Sequence, residues 1–442
     1  MLSPFLRPLA GRLTVSLLAA LTLMACERPL VDPLSVQVRV VSPDLETALT
    51  SRTLVLELEA LRGSPTTTLR IDGDTLTYDD VRGVYTDTLF LRDGLNTIPV
   101  EVLDADAQIA TDTLYALVLD VRRAGTGPTE FPGTAWAGVA PLPDGRTLVT
   151  GGLGTNGLFP QRDIVQIDAG GAALHIGQLG TARAGHTATP LATGEVLVLG
   201  GSTVSLPDAQ SDLLPTAELV SASGASQPVP ITGVFQRAAH ATRLLEVGGR
   251  SVLYVYGGVE ASGAGVTPSG TVAILELIRS ASGPTLQVLS PPGGAGSFPP
   301  AVDPVLADLL PPQGATAAVA ALLGDGTAFR FTWRAPGAVY PLDLAAAPAR
   351  SVTTARRRPA AVSLNESIVL VAGGRTPDGE VLSSMVAFVP SIGRVFALPS
   401  DVELAIPRWR ATATILAARR ILIGGGITPS GTVTTTSETF TY

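Results

Sequence analysis

Side chains able to do chemistry are few in this chain, and their spacing decides what they can be. Histidine occurs three times, at positions 175, 186 and 240, and no carboxylate lies at a tight spacing from any of them, so the pattern of a metal site is missing. No Gly-x-Ser-x-Gly turn is present to expose a nucleophilic serine. The single cysteine, Cys26, leaves no pair for a disulfide. Arginine behaves differently. Arg183, Arg356 and Arg408 each stand seventeen residues ahead of the first glycine of a Gly-Gly pair, and Arg237 stands twenty ahead of another. One offset repeated in equivalent elements puts four guanidiniums at one height around a common axis, where they would meet a carboxylate or another anion with bidentate hydrogen bonds. The same offset serves a structural role equally well, each arginine pairing with a carboxylate or carbonyl of a neighbouring element. Arg375, directly after Gly373-Gly374, and Arg410, two after Arg408, extend the candidate anion site. The expected ligand-binding set is therefore Arg183, Arg237, Arg356, Arg375, Arg408 and Arg410, with no catalytic residue, metal or cofactor assigned.

The elements that must position these arginines repeat. An apolar run ending in Gly-Gly recurs at Leu148–Gly152, Val196–Gly201, Leu253–Gly258, Leu370–Gly374 and Ile421–Gly426. Between first glycines, taking Gly425 in the last copy, the steps are 49, 57, 116 and 52 residues, and the longest is two periods of 58. The copy inside that long step is Phe329–Trp333, which follows the Gly324-Asp325-Gly326 turn and lacks only the glycine pair, with an insertion rich in Pro and Gly, Pro291 to Gly314, before it. Six repeats of strands and turns, each near fifty residues, are the sequence mark of propeller blades, which cannot bury their faces singly. The last copy ends at Tyr442 one strand short, so residues 124–132 are expected to supply the outermost strand and close the ring.

The repeats resemble the kelch family, whose blades carry R-x-x-H, an apolar strand, Gly-Gly and a third strand. Arg183-Ala184-Gly185-His186 and Arg237-Ala238-Ala239-His240 match in full, whereas the fifth copy has Pro359 and the sixth Ala411 in place of His, and the first begins at Thr134. The chain departs from the family in its sparse aromatic residues. Galactose-oxidase-like enzymes on a similar propeller need a Cys paired with Tyr at copper, and Cys26 is not free for that. Sialidase propellers use an Arg triad, a Tyr nucleophile and repeated S-x-D-x-G-x-T-W boxes, and no such box is present.

Ahead of the repeats, Val36 to Val121 alternates apolar and polar residues, as in Val36–Val40 and Leu54–Leu58, between turns at Asp72-Gly73-Asp74 and Asp93-Gly94, which reads as a two-sheet sandwich. The stretch Asp93–Asp104 resembles the G-x-N-x-I-x-V-x-x-x-D signature of bacterial Ig-like spacer domains. Its aspartates lack the spacing of a calcium loop and read as Asx turns. The first 25 residues carry Arg7 and Arg12, no acid, and the apolar stretch Leu13 to Leu23, a secretory signal too short to span a bilayer. Leu23-Met24-Ala25-Cys26 resembles the bacterial lipobox, which implies cleavage before Cys26 and acylation of its thiol. Glu27 follows where an Asp would mark inner-membrane retention, so the outer membrane is the expected address.

Composition bounds the rest. With 442 residues, 45% apolar and 15% charged, the chain has ample core material and too little charge for disorder. Its net charge of −8 is carried without a single lysine and argues against nucleic acid as a partner. The expected protein is all-β. It has a signal peptide (1–25), a lipidated tether (26–34), an Ig-like β-sandwich (35–122) and a six-bladed kelch-type β-propeller (124–442). The expected function is that of a membrane-anchored, non-enzymatic binding or scaffold protein of the cell envelope with a protein, peptide or glycan ligand. The alternative is an envelope carbohydrate-active enzyme, a hydrolase or lyase, using loop carboxylates.

Overall fold

The computed structural model describes residues 37–61, 67–103, 109–127, 131, 134–247, 250–289, 299–313, 316–325, 327–334, 342–345, 355–417 and 419–442. The signal peptide, the tether and Cys26 lie outside the described residues. Apart from one 3₁₀ turn at Gln210–Asp212, every described element is a β-strand. Among the described residues no helix is long and apolar enough to cross a membrane.

The chain divides into two compact units, the first comprising the stretch through Pro43, Val55–Thr88 and Ile98–Leu114, the second the remainder. Two four-stranded sheets build the first. One runs in the order Gln37–Ser42, Thr53–Leu61, Val84–Phe90, Thr77–Asp79; the other runs Asp74–Thr75, Thr68–Ile71, Gly94–Leu103, Ile109–Val118. Alternation does what the sequence implies: Leu54, Leu56 and Leu58 are buried while Thr53 and Val55 face water. Asp79 makes a turn and Asp93 an ion pair. Asp79 accepts the N–H groups of Val81 and Arg82, and Asp93 holds Arg52. Asn96 of the Ig-like signature pins its own turn through the N–H of Arg92 and the carbonyls of Arg92 and Gly94. Segments 44–54, 89–97 and 115–121, expected within the N-terminal domain, group with the second unit. The reason is packing: Ala48, Leu117, Leu119 and Val121 share an apolar cluster with Leu398 and Phe440, and the Ala48 N–H donates to the Ala397 carbonyl at 2.8 Å.

Among the described residues the second unit contains seven sheets: six larger ones that follow one another along the chain, antiparallel except where Ile231–Thr232 pairs parallel with Gly283–Leu289, and a three-stranded one (Arg237–Ala238, Val259–Ser262, Gly265–Pro268) beside the third. The first strands of the six larger sheets are Gly138–Pro141, Thr187–Pro190, Ala241–Val247, Val305–Gln313, Ala360–Asn365 and Thr412–Leu416. Second strands such as Val196–Leu199 and Ile368–Ala372 are buried throughout, because both their faces are covered. Apolar clusters join the first sheet to the second (Leu148 with Val198) and the second to the third (Leu199 with Val255). Others link the third to the fourth (Tyr254 with Val319), the fourth to the fifth (Leu322 with Val371) and the fifth to the sixth (Leu370 with Ile423). A last one returns from the sixth to the first (Leu422 with Val149). This cycle makes the fold propeller-like.

Two expectations shift in detail. The strand that pairs with Ser437–Thr441 is Arg122–Thr126, beginning ahead of the expected 124–132 segment. The stretch Pro291 to Gly314, expected to be wholly an insertion, contains the first strand of the fourth sheet, Val305–Gln313, whose Leu306 and Ala307 are buried. The glycine pairs are joints between sheets. Gly151 and Gly152 have φ of 56° and 92°, a Cβ on Gly151 would meet the Arg183 carbonyl, and that same carbonyl accepts the Gly152 N–H at 2.8 Å.

Candidate functional site

The four aligned arginines do not converge on an axial channel. Each is buried and turned into its own sheet. Arg183 Nη1 donates to the carbonyls of Gly200 (2.8 Å) and Thr216 (3.2 Å), and its Nη2 to Glu218 Oε1 (2.6 Å). Arg408 repeats this with Gly425 (3.1 Å), Thr436 (2.9 Å) and Glu438 (2.9 Å). Arg237 uses Gly257, Thr271 and Glu260, whereas Arg356 reaches the carbonyls of Gly373 (3.2 Å) and Ser384 (3.0 Å) with no carboxylate answering it. Burial therefore depresses the pKa of Arg356 to about 10, while Arg183 and Arg408 are lowered by burial against the opposing pull of Glu218 and Glu438. These four give the glycine-pair joint its third anchor, and the ligand-facing geometry expected of Arg183, Arg237, Arg356 and Arg408 is corrected accordingly.

The repeat histidines belong to the same layer. His186 Nε2 lies 2.9 Å from Thr150 Oγ1 and His240 Nε2 lies 3.2 Å from Thr187 Oγ1, each bridging to the preceding sheet. Burial holds His186 well below the usual histidine range and takes His240 to about 3, with the charges of Arg183 and Arg237 adding to the effect, so both are neutral. The third histidine, His175, is exposed beside Asp163.

Two residues beyond each of the aligned positions lies a second, inner layer. Trp136, Ala239, Asp303, Arg358 and Arg410 occupy the left-handed region (φ between 50° and 61°), and Gly185 joins them at 64°. Left-handed φ is costly for side-chain-bearing residues, about 1–3 kcal/mol each, and a repeated interaction must hold it. That interaction is a chain of backbone bonds passing from sheet to sheet. The N–H groups of Gly185, Ala239, Asp303, Trp136 and Arg410 donate to the carbonyls of Trp136, Gly185, Ala239, Arg410 and Arg358 at 2.7–2.9 Å.

Side chains of this inner layer cluster. Arg410 Cζ sits 3.9 Å from the Trp136 ring centroid and 4.7 Å from that of Trp409. Arg358 stacks on the same two rings at 4.9 and 5.6 Å, and Arg375 on Trp409 at 5.3 Å. One carboxylate answers them: Asp303 Oδ2 pairs with Arg358 Nε at 2.8 Å, and its Oδ1 accepts the Trp136 indole N–H at 2.9 Å. Burial, with the charge of Arg358 adding to it and that of Asp303 opposing it, takes Arg410 down to about 9. Cation–π contact supplies about 0.5–2 kcal/mol per pair and fixes the guanidinium planes without consuming their N–H donors. A cleft of about 830 Å³ opens beside the cluster, its walls including Arg357, Arg358, Arg375, Trp409, Asp325 and Asp378, with apolar surface from Leu206 and Pro299-Pro300. A smaller chamber of about 150 Å³ is lined by Trp136, His186, His240, Asp303, Arg358 and Arg410 among others.

Of the expected set, then, the structure brings together Arg375 and Arg410. Arg357, Arg358, Asp303, Trp136 and Trp409 were missed. Part of their signal was available: Trp136 and Arg358 follow the repeat positions Thr134 and Arg356 by two residues, as Arg410 follows Arg408, and Trp136 and Trp409 are two of the chain's three tryptophans, whereas Asp303 lies in the stretch read as an insertion.

No family model and no curated protein matches the chain. Solved structures similar to the chain are found. YjhT is 13% identical with a TM-score of 0.47, covering 72% of this chain and 96% of that one. A fungal alcohol oxidase of the AA5 family, in complex with copper, is 14% identical with a TM-score of 0.43, covering 91% and 76%. The expectation of a non-enzymatic protein is withdrawn, since the second of these similar structures is by its name an enzyme. Copper itself does not fit here. Among the described residues no three His, Cys, Asp or Glu side chains gather to hold a metal, and the repeat histidines spend Nε2 on threonine hydroxyls.

Proposed function

We propose that the second unit is a six-bladed kelch-type propeller whose axial mouth takes a saccharide bearing a carboxylate, and that the chain acts on it as a carbohydrate-active enzyme of the cell envelope. The observation that carries this reading is the cleft's inventory: Arg357, Arg358 and Arg375 beside the half-buried Trp409, with Asp325 and Asp378 at the same cleft. Guanidiniums recognise a carboxylate bidentately, an indole face covers the apolar face of a sugar ring, and paired loop carboxylates are the residues glycosidic chemistry requires. In this reading Asp325 and Asp378 supply acid–base function and Arg375 holds the substrate's charge. Ahead of the propeller, residues 35–122 form an Ig-like spacer, and Cys26 carries the lipid that places the protein at the outer membrane.

The test is a comparison of uronate-containing and neutral oligosaccharides of equal length. Binding of the acidic series alone, with release of new reducing ends that stops in Asp325→Asn or Asp378→Asn while binding persists, supports the reading. Equal binding of both series, or none, removes it. Incorporation of labelled palmitate by the wild type but not by Cys26→Ser tests the anchor.

A further inference from the structure

Behind the cleft, the small chamber has a charge and hydrogen-bond balance that the cleft does not explain. Its lining carries two guanidiniums, Arg358 and Arg410, against one carboxylate, Asp303, and the two histidines that complete it are neutral. One positive charge is therefore left over beside the buried Arg410, where an uncompensated ion is costly. Three buried nitrogen atoms of the lining have no hydrogen-bond partner: Arg410 Nε, His186 Nδ1 and His240 Nδ1. Arg410 is 3% exposed and His186 and His240 are 5% and 6% exposed. The other end of Arg410 is fixed, its Nη2 donating to the Ser205 carbonyl at 3.1 Å, and both its faces are taken by indoles. What such a group still offers is its edge, which is where a planar oxyanion binds. The volume, about 150 Å³, equals roughly five waters and suits a carboxylate with little attached to it, not a sugar ring.

The geometry points to this chamber as a receptor for one carboxylate group, held by Arg410 and Arg358. The carboxylate is either the terminal group of the saccharide in the cleft or a free small acid. Arg358 lines both spaces, so a ligand whose body lies in the cleft can place its carboxylate in the chamber. That first source rests on the proposed function; the second does not.

Formate is the probe. Trp136 and Trp409 contact Arg410 directly, so filling the chamber alters intrinsic tryptophan fluorescence. The mature chain is titrated with sodium formate at constant ionic strength, with calorimetry as a second readout. The expected result is a saturable response that weakens about tenfold or more in Arg410→Lys, which keeps the charge and loses the Nε edge. If Arg410→Lys does not fold, Arg358→Lys provides the same comparison. No saturable response, or unchanged affinity in the lysine variants, overturns the inference. Competition between formate and a uronate oligosaccharide assigns the chamber to the ligand's own carboxylate; simultaneous binding assigns it to a free acid, and both outcomes uphold a carboxylate receptor. Formate binding without any saccharide binding retires the proposed function and leaves the chamber standing.

Discussion

Arg408 and Arg410 are two residues apart, both are buried, and they face opposite demands. Arg408 has a carbonyl or carboxylate for each end of its guanidinium, on Gly425, Thr436 and Glu438. Arg410 has one carbonyl, two indole faces and an Nε with no partner. In the pair Arg356 and Arg358 one sheet earlier the Nε atoms are reversed, that of Arg356 having no partner and that of Arg358 meeting Asp303. An arginine at the repeat offset completes the joint between sheets, whereas an arginine two residues further on is carried by left-handed backbone into the axial cluster. Burial does not separate these roles. What separates them is what the guanidinium ends meet: carbonyls of the arginine's own sheet at the repeat offset, indole faces two residues further on.

Stability measurements can break this comparison most sharply in the outer layer. Arg183→Ala leaves the buried Glu218 without its cation, for an expected loss of about 3–5 kcal/mol in denaturant unfolding, whereas Arg408→Ala leaves Glu438 paired with Arg123 at 3.1 Å and costs about 1–3 kcal/mol. A loss near zero for both would mean that these arginines are not joints. Arg356→Ala strands no carboxylate and only unpairs the carbonyls of Gly373 and Ser384, so its cost is also about 1–3 kcal/mol. Finding Arg356→Ala as costly as Arg183→Ala would show that the ion pair contributes nothing beyond the carbonyl contacts.

Acid sharpens the same contrast through the histidines of the outer layer. His240 is depressed to about 3 in the folded chain, so it takes up its proton on unfolding. The stabilisation is complete above the unfolded value near 6.5 and shrinks as the pH falls from there toward 3. Unfolding midpoints measured between neutral pH and pH 5 should fall less steeply for His240→Asn than for the wild type. Identical slopes would place the acid sensitivity elsewhere. The smallest stability effect belongs to the inner rim: Arg375 is exposed, and Arg375→Ala should change unfolding by about 0.5 kcal/mol or less.

Much of this architecture is legible in residue spacing because a repeat fold writes its joints into sequence. The Gly-Gly pairs mark positive φ beside the next sheet's carbonyl, and the arginines seventeen residues earlier mark the side chain that completes that joint. The site was harder to read. Trp136, Asp303, Arg358 and Arg410 share no residue type, since their common property is a backbone position, so a search for matching side chains selects the outer layer and passes over the inner one. Trp409 is distant in sequence from Trp136, and only the cycle of six sheets brings both against Arg410. The strand Val305–Gln313 was hidden for a different reason, since a Pro- and Gly-rich stretch precedes it and its Pro311-Pro312 disguises the alternation.

In the proposed function the axial arginines, not the repeat arginines, meet the ligand. Calorimetric titration of a uronate oligosaccharide into the wild type, Arg375→Ala and Arg183→Lys tests it in one measurement, because the last variant keeps a buried cation opposite Glu218. Binding that is lost in Arg375→Ala and retained in Arg183→Lys is the predicted result. Binding retained in Arg375→Ala and lost in a folded Arg183→Lys would contradict it.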